Sequence, residues 1–177
     1  MPNAMRNIDD MARYVGLSLL SKGLSVSPLK LQKLLYYAQS WYMVFFGRHN
    51  TLFTEAPQAW VNGPVYPSIY EVYRGKVPGM CDHLRLEDFD TDDAPAALAA
   101  LAAKMQLTLD EVELFDSIAT LYGAKTQNQL ILLTHSERPW VEAREGLPPY
   151  RRSQREISFD TMYSYYKERH DQNRQKR

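Results

Sequence analysis

One cysteine, Cys81, in 177 residues leaves no disulfide framework within the chain and suits a reducing compartment. Net charge is lacking too. Twenty-one Lys and Arg balance 21 Asp and Glu, which removes the broad field that draws basic proteins to nucleic acid or acidic membrane. No apolar run is long enough to span a bilayer and no cationic start leads into one, so the chain is expected to be cytoplasmic. The histidines, at 49, 83, 135 and 170, are scattered, with none paired at metal-ligand spacing. A glycine-rich phosphate loop and a nucleophile-elbow serine are missing as well. The expectation is no enzyme, no metal and no cofactor.

What the chain does have is bulk and helical period. Twelve Tyr and three Trp give a high aromatic share, and this length can bury a sizeable core unaided. Ile8, Met11, Ala12, Val15 and Leu19 fall on one helical face, with Gly23 as a left-handed cap. Ser27 is an N-cap and Pro28 a first helical residue for a second helix ending at Gly47. Its large residues, from Leu31 through Trp41 to Phe45, cover more than one face, which places it centrally. Pro57, Gly63 and Pro64 break the period over 51–65 and leave room for a small β-hairpin. Pro67 opens a short helix, 76–93 reads as a loop with at most one short strand, and Ala96–Met105 is helical by propensity. Thr108 with Glu111 and Thr126 with Gln129 are capping boxes for two more helices. A short helix around Trp140–Arg144 follows, and Ser158 caps a last one, with Ile157 stapled on Met162. The fold class is therefore mainly α: residues 1–177 as a single domain of about six to eight helices, with a mobile loop over 78–95 and a frayed tail over 171–177.

Three signatures stand out. They are Leu31-Gln32-Lys33-Leu34-Leu35-Tyr36-Tyr37-Ala38-Gln39, then Ala59-Trp60-Val61-Asn62-Gly63-Pro64-Val65, then Leu133-Thr134-His135-Ser136-Glu137-Arg138-Pro139-Trp140. Trp60 and Trp140 are expected to fill the core, and Gly63-Pro64 to set a turn that presents Asn62 and Val65. Thr134 and His135 end a helix, where a protonated imidazole would suit the dipole. Gln32 and Lys33 are expected at the exposed margin of an apolar stripe, and Tyr36 neighbours Lys33 on the helix.

In this order and spacing the signatures resemble the Panacea antitoxin domain, the phage-associated family that includes SocA-like proteolytic adaptors. The departure is Pro57, where the family usually carries an extended charged run. The resemblance implies a helical domain that neutralises a cognate toxin, encoded beside it, by direct binding. In the SocA-like branch it implies delivery of that toxin to a Clp-type protease. If the contact surface is near the motifs, Gln32, Lys33, Tyr36, Asn62 and His135 are the candidates, with Trp60, Gly63, Pro64, Thr134 and Trp140 as structural residues. Two other readings come from the residues alone. Arg151, Arg152 and Arg155 beside Tyr150 suggest a nucleic-acid regulator, and Cys81 with Asp82 and His83 a hydrolase.

Overall fold

Helix α2 (Pro28–Phe46) is the piece against which the other elements are placed, and it is buried on nearly every side through Met43. The computed structural model describes residues 5–176. Around α2 lie α1 (Ile8–Ser21), α3 (Pro67–Tyr73), α5 (Leu109–Leu121), α6 (Gln127–Ser136) and α8 (Phe159–Gln175), each in contact with it. Helix α4 (Ala94–Lys104) packs on α1, and the short α7 (Arg138–Ala143) bridges α6 and α8. The fold is thus mainly α, with eight α-helices among the described residues and one two-stranded sheet.

Local signals act as the sequence requires. Ser27 Oγ accepts from the Lys30 amide with Pro28 at the first turn, and both capping boxes close. Gly23 takes the left-handed conformation after α1, and its amide reaches the Leu20 carbonyl. Ile157 and Met162 are buried in the same core at the start of α8. Between α3 and α4 a single 3-10 turn, Leu86–Phe89, replaces the short strand allowed for in the loop, and it seats Phe89 in the core. The tail is helical as far as Gln175, and Arg177, like residues 1–4 at the other end, lies outside the described residues.

The hairpin of β1 (Gln58–Trp60) and β2 (Gly63–Val65) is antiparallel, pairing Ala59 with Pro64 and Trp60 with Gly63. It is shorter than the 51–65 span of the broken period. Pro57 does not prevent it, because the position needs only a carbonyl: Pro57 O accepts from the Ile157 amide at 2.8 Å. Residues 51–56 have no sheet partner and are held instead by α2. Gln39 grips that segment with both ends of its amide, accepting from Leu52 N at 2.7 Å and donating to Phe53 O at 2.9 Å. Gln32 grips Tyr66 the same way, at 2.8 and 3.2 Å. At the other end of α2, Tyr42 donates to Glu111 Oε2 at 2.9 Å, and Arg6 pairs with Glu111 Oε1 at 2.8 Å.

Truncating Gln39 strands Leu52 N and Phe53 O, and truncating Gln32 strands Tyr66 N, since Tyr66 O still accepts from Ile69 and Tyr70; each stranded group costs about 1–3 kcal/mol. Gln32→Ala and Gln39→Ala are each expected to lower stability by about 2 kcal/mol or more, read from the midpoint of chemical denaturation. An exposed glutamine such as Gln154 changed to Ala should leave that midpoint in place.

Candidate partner-binding site

The three signatures meet. Lys33 on α2 runs under the hairpin, where its Nζ donates to Pro64 O at 3.1 Å. Gly63 is required at this crossing. It has φ +107°, and a Cβ there would lie 2.6 Å from Lys33 Cε and 2.8 Å from Thr134 Oγ1. Lys33, Gly63 and Thr134 therefore share one dry contact, one residue from each signature. Trp140 closes it from α7 by donating its indole N–H to Trp60 O at 2.8 Å.

A second hub lies deeper. Glu137, buried in the turn between α6 and α7, accepts from Tyr37 at 2.6 Å and from Tyr166 at 2.9 Å. Tyr166 also bonds the Tyr36 hydroxyl at 3.0 Å, so α2, α7 and α8 are joined by one polar cluster. Burial raises the Glu137 carboxyl above its ordinary value, opposed by the two tyrosine donors and by Arg169. Arg144, also buried, donates to Ala59 O at 2.8 Å and Arg151 O at 2.6 Å while its guanidinium lies over Trp140. Glu137, Arg144 and Tyr166 are not among the contact or structural site residues named from sequence. Glu137 sat inside the third signature, and Arg144 stood just before Gly146 and a double proline, which was the available signal.

These facts correct the expected contact surface. Gln32 and Tyr36 are 1% exposed and Lys33 is 0% exposed, so none stands at an open margin. The cause is that α2 has no single apolar stripe: polar side chains on its remaining faces turn inward to bond other elements. Trp140 is buried as expected, whereas Trp60 is half-buried, its ring edge-on to Tyr70 and its N–H donated to Gln58. Only Asn62, exposed at the hairpin tip, and His135, half-buried, reach the surface among the five contact candidates. His135 does lie in the last turn of α6, but its surroundings disfavour the charged ring. Its ring stacks on Trp140 at 4.0 Å, and burial lowers its pKa, helped by Lys33 and Arg144 and opposed by a backbone bond with Val61.

The remaining sequence candidates lie apart. Cys81, Asp82 and His83 are all exposed, and so are Arg151, Arg152 and Arg155. Among the described residues no group of His, Cys, Asp or Glu is placed to hold a metal ion, and no helix is long and apolar enough to cross a membrane.

A family profile described as the SocA-like antitoxin, Panacea domain, matches residues 31–141, well over half of the chain. The chain belongs to this family. No curated protein and no solved structure matches it. The matched stretch of the Panacea domain begins within α2 and ends within α7, yet the elements outside it are structurally joined to it. Tyr166 of α8 completes the Glu137 hub, and α1 packs on α2.

Burial alone pushes the Lys33 ammonium down to about 7. An unfolded lysine titrates near 10.4, so between about pH 7 and pH 10 the unfolded chain binds more protons than the folded one. Stability carried through this group must therefore rise with pH across that window and level off below it. Relative to Lys33→Met, the wild type should gain a few kcal/mol between pH 7 and pH 10, measured as the difference between their denaturation curves at each pH. A constant difference would mean that Lys33 titrates as if exposed.

Proposed function

We propose that this Panacea domain acts as an antitoxin by binding its cognate toxin directly and stoichiometrically, and that the toxin is the product of an adjacent gene. The observation that carries this reading is the direction in which the family signatures point. Their buried polar groups bond one another and neighbouring backbone inside the molecule, as Lys33 does with Pro64 and Tyr37 with Glu137. Groups engaged in this way build a scaffold and are not presented to a small substrate. Such a scaffold suits a protein whose work is done by the shape of its outer surface. The zero net charge favours a protein partner over a phosphate backbone. The SocA-like resemblance adds a narrower reading, in which the bound toxin passes to a Clp-type protease.

Co-expression is the direct test. The adjacent gene product should arrest growth alone, growth should return when this chain is co-expressed, and the two should co-purify in fixed ratio. A neighbour that is harmless alone, or toxic regardless of this chain, removes the antitoxin reading. Delivery to a protease predicts in addition that the toxin disappears in cells with active Clp and accumulates as a complex without it.

A further inference from the structure

An open groove of about 760 Å³ runs along the C-terminal half of α2, between α5 and α8. Its floor is Trp41, Phe45 and Phe46 of α2, and Leu121 and Tyr122 close it at the end of α5. Two of these large apolar side chains are left in the open, Phe45 at 52% and Leu121 at 66% exposed, and Trp41, Phe46 and Tyr122 are half-buried. Each costs free energy in contact with water, and side by side they form the kind of patch that marks an interaction site. The floor is also fixed in place. Trp41 donates to the Tyr122 hydroxyl at 2.8 Å, and Tyr122 stacks on Tyr37 at 4.0 Å, which ties the groove to the Glu137 hub.

Shape and charge restrict what can lie there. Helices α5 and α8 each pack on α2 with the groove between them, so the vacant position is that of a further helix in a bundle built on α2. Helix α5 has 13 residues and so offers a wall of about 20 Å, or three to four helical turns. The two rims carry opposite signs. Asp110 and Glu113 line the α5 side, whereas the Arg174 guanidinium, with His170 beside it, lines the α8 side. Among the described residues none of these four is held in an ion pair, and the nearby Asp171 pairs with Lys167 instead.

We propose that this groove is the docking site for an amphipathic α-helix of the toxin, an inference that rests on the antitoxin reading above. The helix seats an apolar stripe on Trp41, Phe45 and Leu121, with Lys or Arg along the edge facing α5 and Asp or Glu along the edge facing α8. The opposite rims select its orientation, because turning the helix end for end sets like charges against each other. Anchors in such a groove repeat at helical spacing, as in other helix-in-groove recognition.

The test uses the full chain and the product of the adjacent gene. A photo-reactive benzoylphenylalanine is placed in turn at Phe45, Leu121, Asn62 and Leu132, the last being exposed on α6. Cross-links from the Phe45 and Leu121 positions to a toxin segment with that charge pattern, and none from the other two, are expected. Leu121→Arg and Glu113→Lys, checked for native melting, should each weaken toxin affinity by about thirtyfold or more, the scale of a hot-spot loss, with growth rescue falling in step. Cross-links arising from Asn62 or Leu132 with wild-type affinity in both variants overturn the groove while leaving the antitoxin reading standing. Cross-links from Phe45 to a second copy of this chain overturn it in favour of self-association. A wild-type chain that neither rescues growth nor binds the adjacent product overturns both readings together.

Discussion

A helix buried on almost all sides must satisfy its polar side chains from within the protein, and most of this structure follows from that requirement on α2. Ser27 bonds Gln127, Lys30 bonds the Gly123 carbonyl, Gln32 and Gln39 each hold a stretch of backbone, and Lys33 holds Pro64. An unpaired buried amide or ammonium would cost more than most single contacts return. Segments without regular hydrogen bonding of their own, such as 51–56 and the approach to α3, are therefore shaped by side chains reaching from α2. The extended chain is placed by the helix rather than by a sheet.

That arrangement explains which parts of the sequence were readable. Caps and stops depend on neighbours two to four residues away, so Ser27, Thr108, Thr126, Ser158 and Gly23 announced their helices correctly. The burial of Trp140 was also legible from its bulk, but Gly63 and Pro64 lie in β2 rather than setting the turn, which is Val61-Asn62, and Val65 is buried rather than presented. The outward face of α2 was not legible. Helical period locates an exposed margin only when one face is apolar, and here Lys33 and Gln32 lie inside while Phe45 lies outside. Glu137, Arg144 and Tyr166 depend on contacts between residues far apart in the chain, and no local pattern marks those.

The buried lysine makes the balance of forces at the crossing concrete. Placing an ammonium in a site without a carboxylate is unfavourable, and burial favours its neutral form. The position still serves the fold, because a long unbranched stem fits beneath Gly63, where any Cβ would collide. One hydrogen bond from its end then fixes the β2 carbonyl. A shorter polar residue could not reach, and an apolar one would leave Pro64 O unpaired.

Separating the internal network from the outer groove has a functional consequence. Residues such as Tyr37, Glu137 and Arg144 are coupled to several partners each, so changing one disturbs the others. Asp110, Glu113 and Arg174 have no such ties, and Leu121 stands open to solvent, so their identities can change at little cost to folding. A chain built this way can hold one scaffold constant while its groove is altered in charge and shape. The residues free to vary in this way lie along α5 and α8, outside the three signatures.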